Sequence, residues 1–335
     1  MKKKHKADAP TPWQRLLGML YVERTTINYI FVYAILIGLI GLTLPLGTTA
    51  VFNFLSNGAL YSSTYILIGV VLLGVAVGGM MLIGQLTLVE MIEQKIFAKA
   101  TVEFAYRFPR IKRKEFEGEN PAELVNRFFD VITIQKGLTK LLVDVVAAAV
   151  QIFFAAILLS FYHPIFMVFG ILTVMVIVLM LFFFYKIGVK TSIKESEYKY
   201  EVVAYLENVA SNLDEYRNIP GKLAEVIFKT DKITANYLKA RNDHFKILRK
   251  FFASSVALRT VLMGGLLLLG SYYVVERQMT LGQFVAAEVI IVQISYAVEK
   301  FMTSLNTIFD MVTGSEKLAA VTDLELEESE VNHDF

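Results

Sequence analysis

Residues capable of chemistry are sparse in this chain, and their spacing excludes more than it offers. Cysteine is absent, and the four histidines (His5, His163, His244, His333) are scattered. Disulfides, thiolate nucleophiles and thiolate metal sites are therefore excluded, and a histidine metal cluster is not expected. The Gly-Lys pair Gly221–Lys222 has Tyr216 where the first glycine of a phosphate-cradling G-x-x-x-x-G-K-[ST] loop belongs. No residue set predicts a catalytic centre, a metal site or a bound cofactor.

The more informative residues are polar ones set in apolar sequence. Arg259, Glu288 and Gln293 interrupt such runs, and charge inside a membrane faces a cavity or a partner. Glu288, Ser295 and Glu299 recur at i, i+7 and i+11, on one helical face that would line a pathway. Arg259 lies about 24 Å from the outer end of its span and Glu288 about 10 Å from its own, so they are not expected to pair. Arg259 reads either as a substrate contact or as a side chain snorkelling to the inner headgroups. Asp144, at the inner boundary, reads as a solvated or capped charge. Pro45, with Gly41 and Gly47, predicts a kink in the first span.

The elements that must carry these residues are membrane helices. The chain has 335 residues, 55% of them hydrophobic, and a mean hydropathy of +0.53, above a soluble domain's roughly 45–50% apolar content. A net charge of +2 gives no reason to expect a nucleic-acid partner. Six stretches match the roughly 20 apolar residues that cross a bilayer: Ile27–Leu55, Tyr65–Val89, Leu141–Phe161, Ile165–Ile187, Val256–Val275 and Leu281–Val298. Short connections alternate with long charged ones, Glu90–Lys140 and Gly188–Ser255. Arg277 is the only Lys or Arg in the short connections, which predicts that both termini and both long loops are cytoplasmic. Helical spacing in "SIKESEYKYEVVAYLENVASNL" predicts spans that continue as helices, an arm of about 25 residues reaching some 37 Å. "TPWQRLLGML" predicts a short interfacial helix anchored by Trp13 and Arg15. The basic start "MKKKHKADAP" reads as a retained tail, because no short apolar core with a cleavage site follows it.

Several strings give this all-α plan a resemblance. "TPWQRLLGMLYVERTTINYIFVYAILIGLIGLTLPLGTTAVFNFL" carries a Leu-Pro-Leu-Gly turn, Leu44–Gly47, ahead of Asn53. "FPRIKRKEFEGENPAELVNRFFDVITI" carries Glu123, Leu124, Arg127 and Asp130, with Ala122 where a glycine is usual. With "LGQFVAAEVIIVQISYAVEKFMTSLNTIFDMVTGSEKLAAVTDL", these resemble the transmembrane domain of an ABC exporter of the bacterial toxin and peptide (type I secretion) kind. The resemblance implies the ABC exporter transmembrane-domain fold: six transmembrane helices with two long helical cytoplasmic loops. It divides the chain into a tail and elbow helix (1–26), the membrane domain (27–318) and an acidic tail (319–335).

The resemblance also implies function. Two coupling helices at the loop tips, near Arg110–Glu119 and Glu207–Arg217, would dock on ATP-binding subunits. Arg110, Arg113, Phe116, Glu207, Leu213, Tyr216 and Arg217 are the implied contacts. Asn53, Arg259, Glu288, Ser295 and Glu299 are the pathway candidates. The expectation is a non-enzymatic transport subunit of a split exporter in the bacterial inner membrane. It would dimerise with itself or a relative, with ATP and Mg held by a separately encoded partner and a periplasmic adaptor continuing the route. A scaffold or regulator without an engine, or an exporter cut before its ATPase, are the alternatives. Ion-driven transport is disfavoured, because the spans are expected to lack broken, repeat-related helices.

Overall fold

The computed structural model describes residues 11–56, 62–116 and 121–327. Helix α1 (Pro12–Tyr21) opens on a capping box: Thr11 and Gln14 exchange side-chain to backbone hydrogen bonds, and Pro12 occupies the first turn. Its Leu16 and Leu20 are buried in a cluster with Ile96, Ala100 and Leu318. The two anchors expected to face headgroups instead face protein. Trp13 donates its indole N–H to the Tyr185 hydroxyl, and Arg15 forms a bidentate pair with Asp323 at 2.9 and 2.7 Å. Leu17 and Tyr21, on the opposite face, are exposed.

The first span is two helices, α2 (Arg24–Gly41) and α3 (Thr43–Ser56). Pro45 has no N–H to offer the Gly41 carbonyl. The Leu42 N–H turns to Leu39 O (3.1 Å) in place of the helical acceptor Gly38. The expected kink is thus an interruption at Leu42, and the expectation of unbroken spans is corrected at this one place. Helix α4 (Ser62–Arg107) runs unbroken for 46 residues, about 69 Å. Most large apolar side chains in its first half are exposed, as a lipid-facing helix requires.

After α4 the first long loop folds through short turns and α5 (Pro121–Asn126) into α6 (Asp130–Thr139) and α7 (Val146–Tyr162), with a π-helical turn at Lys140–Val145 between them. Pro164 and an extended His163 reverse the chain, the imidazole accepting from Ile165 N. Helix α8 (Met167–Ser211) then leaves the apolar zone and ends at α9 (Leu213–Asn218). Gly221 takes φ +86°, a left-handed conformation that favours glycine, and the chain returns along α10 (Lys222–Gly265). A second π turn and α11 (Ser271–Val275) lead to α12 (Leu281–Thr322), which starts on a Thr280–Gln283 capping box.

Among the described residues, six helical segments are long and apolar enough to cross a membrane. Helix α12 is the hub, packing against α1, α3, α6, α7, α8 and α10. Small residues let it approach closely, since van der Waals fit rather than water exclusion holds membrane helices together. A Cβ on Gly137 would lie 2.3 Å from the Met311 Cβ, and one on Gly188 2.5 Å from the Phe309 ring.

Candidate functional site

The first loop tip is built from two 3₁₀ turns, Phe108–Arg110 and Arg113–Phe116. Between them Ile111 forms an antiparallel bridge with Leu326, beyond the end of α12. Lys112 and Lys114 hold Glu325 at 3.0 and 2.7 Å. Lys114 and then Lys112 keep that exposed carboxyl down at about 2. Arg110 stacks over Tyr106 at 4.0 Å, and Arg113 is exposed. The side chains of Phe116, Ala122 and Glu123, and residues 117–120, lie outside the described residues. Nothing in the spacing of the sequence announced that residues 325–327 would close over this tip.

Behind the tip, the Arg127 and Asp130 of the quoted string converge on one residue of α8. Asp130 is buried and accepts a 2.5 Å hydrogen bond from the Tyr200 hydroxyl, while the Arg127 guanidinium lies 4.4 Å over the Tyr200 ring. Leu124 is buried in the cluster that holds Val131 and Ile134. Glu207, one of the expected docking contacts, is turned inward and accepts from Asn126. A further polar layer joins α8 to α10 and α12: Arg241 to Glu195 at 2.8 Å, Thr191 to His244 at 2.9 Å, and Ser192 to Thr313 at 2.8 Å.

The second tip, α9 and the start of α10, is different in kind. Leu213, Ile219, Leu223, Ile227 and Phe228 are all exposed, Phe228 by 74%. Arg217 is exposed beside them, and the Tyr216 hydroxyl is bonded to Asn208 at 3.3 Å. Leu223, Ile227 and Phe228 were missed from sequence. Their i, i+4, i+5 spacing was visible, but only the fold shows that no described helix covers them.

The pathway candidates separate into three places. Asn53, at the short-loop end of α3, packs on Gly282, where a Cβ would come within 2.3 Å of its Oδ1. Arg259, Ser295 and Glu299 share a half-open cleft of about 390 Å³ between α10 and α12, with Phe252, Val256 and Thr303. Arg259 reaches Glu299 at 3.9 Å and the Tyr296 ring at 5.6 Å, so its partner is Glu299 and not Glu288. Both charged side chains are about half exposed (48% and 55%), which leaves the pair loose. Ser295 spends its hydroxyl on Ile291 O at 2.8 Å. Glu288 lies outside this cleft, partly buried higher on α12. Asp144, expected to be solvated or capped, is buried in the π turn and paired with Lys140 at 2.8 Å and Lys300 at 2.9 Å.

Among the described residues, six helices are long and apolar enough to cross a membrane, and two pairs of them are joined by long charged arms that end in short turns. The family model for the ABC transporter transmembrane region matches residues 27–298. The chain belongs to that family. It is therefore a multi-pass membrane subunit of an ABC transporter, and its membrane region works with a nucleotide-binding partner. No relative among curated proteins accompanies this match.

Proposed function

We propose that this ABC membrane subunit is the transport half of a split exporter. It carries a peptide, protein or other large substrate out of the cytoplasm by alternating access, driven by separately encoded ATP-binding subunits. The observation that carries this reading is the exposed apolar cluster at the second tip, Leu213, Ile219, Leu223, Ile227 and Phe228. It lies about 36 Å along α8 from the end of the apolar stretch at Ile187. An apolar patch this far from lipid marks a protein contact. Lys and Arg concentrate in the termini and the long loops, which supports a cytoplasmic reading for that end of the bundle. In this reading the ATPase sits on a separately encoded partner; no phosphate-cradling loop occurs within the 335 residues. Two copies, identical or related, would enclose the pathway, and a bacterial inner membrane with a periplasmic adaptor is the setting that the toxin-exporter resemblance suggests.

The test is co-purification from the native membrane with a C-terminal tag, with mass spectrometry and ATP hydrolysis measured on the eluate. A stoichiometric ATP-binding subunit that is released by Leu223→Asp with Phe228→Asp supports the split exporter. Recovery of a complete exporter or an unrelated membrane protein, with no separate ATP-binding subunit, replaces it with a scaffold.

A further inference from the structure

A second cavity lies within the apolar zone, between α2, α7 and α12. It encloses about 150 Å³ and is lined by Ala34, Ile37, Gly38, Gly41, Leu42, Ala147, Gln151 and Gln293. Gln151 and Gln293 come from different helices but from one depth. Each is twelve residues from the short-loop end of its helix, counted from His163 and from Leu281. That is about 18 Å, near the middle of a 30 Å core.

Neither carboxamide is hydrogen-bonded to another described residue. Gln85 shows the alternative, a glutamine used as structural glue. It is fully buried, and its amide is directed at both Ile30 O and Leu142 O, each at 3.4 Å. A carboxamide in hydrocarbon with no partner is strongly unfavourable. Two such groups facing one cavity point to a polar occupant.

The first span supplies a second, independent observation. Its interruption falls at this cavity. Pro45 has no N–H for the Gly41 carbonyl, and Leu42 N–H goes to Leu39 O rather than Gly38 O. Both glycines line the cavity. Irregular backbone at membrane depth is tolerated where it borders a cavity. The helices touch tightly beside it, since a Cβ on Gly38 would lie 2.4 Å from Val150 Cγ1, so the space is not general looseness. Carboxamides from α7 and α12 meet here beside the interrupted backbone of the first span, and no charged side chain is among the described lining residues.

We propose that this cavity is a hydrated binding site at mid-membrane for an uncharged hydrogen-bonding group, an amide or a hydroxyl. About 150 Å³ accommodates several waters at roughly 30 Å³ each, or one such group displacing them. The inference holds whatever drives the chain, because it concerns wetting of the cavity and not the ATPase.

The chain has no cysteine, so a single introduced thiol reports on its own surroundings. Methanethiosulfonates react with the thiolate, which hydrocarbon suppresses. The probe is the neutral hydroxyethyl methanethiosulfonate, applied to membranes carrying Gln151→Cys or Gln293→Cys. Leu39→Cys on α2 and Phe153→Cys on α7, exposed positions outside the cavity lining, are the references. Reaction at 151 and 293 at least tenfold faster than at both references supports the site. Rates equal to the references at both positions, or at either one, overturn it. Ala147→Cys, a small change in the same wall, gives the same reading if a glutamine variant fails to accumulate.

Discussion

Ile111 and Leu326 lie directly opposite one another in an antiparallel bridge. The flanking bonds, Lys112 N–H to Glu325 O (3.0 Å) and Glu327 N–H to Arg110 O (2.6 Å), make them a non-hydrogen-bonded pair. In that register the Cα atoms approach to about 4.5 Å. The bridge ties the first loop tip to the end of α12, which the Arg15–Asp323 pair also secures to α1. The tip is thereby joined to the helix that borders both membrane clefts.

This geometry suits a disulfide, which needs Cα atoms roughly 4.4–6.8 Å apart. Ile111→Cys with Leu326→Cys is expected to cross-link under mild oxidation. A protease site inserted after Asn120, followed by gel electrophoresis with and without reductant, reads it out. The offset pair Ile111→Cys with Glu325→Cys should form little cross-link, because adjacent side chains point to opposite faces of an extended strand. Equal yields from the two pairs would contradict the register.

The same clamp is pH-dependent. Glu325 is held down at about 2, chiefly by Lys114 and Lys112, from an ordinary value of 4.5. A depressed carboxylate contributes stability that is fully present above 4.5 and is lost as pH falls through about 2. Hydrogen exchange at the Lys112 amide, referenced to intrinsic rates, should show protection that is constant from pH 7 to 5 and declines below. Glu325→Gln should lower the protection and flatten the profile.

Tyr200→Phe removes the hydroxyl that donates to the buried Asp130. Leaving that acceptor without its donor is expected to destabilise the protein by about 1–3 kcal/mol. Thermal unfolding in detergent should show a lowered midpoint.

Gly137→Ala forces a methyl to within 2.3 Å of the Met311 Cβ, an atom fixed to the α12 backbone. Overpacking of this kind costs about 1–3 kcal/mol, so the thermal midpoint should fall. Gly69→Ala meets nothing within 4 Å and should leave it unchanged or raise it. If Gly137→Ala is equally silent, α6 and α12 are not in the contact described.

Much of this protein was legible from residue order, because a bilayer imposes a length and a polarity on anything that crosses it. Six apolar runs, Arg277 as the only Lys or Arg in the short connections, and the arms of mixed charge fixed the helices and their alternation without knowledge of packing. The Pro45 break followed from covalent chemistry, since an imino acid has no N–H to donate. Partners across the fold were not legible. Arg259 meets Glu299, Asp130 meets Tyr200, and Gln151 shares a wall with Gln293 because of how α12 is rotated and tilted against its neighbours. Spacing within one helix says which residues share a face, but not which helix that face meets. That choice belongs to side-chain fit between helices, which is why Lys114 found Glu325 across 211 positions of sequence only in three dimensions.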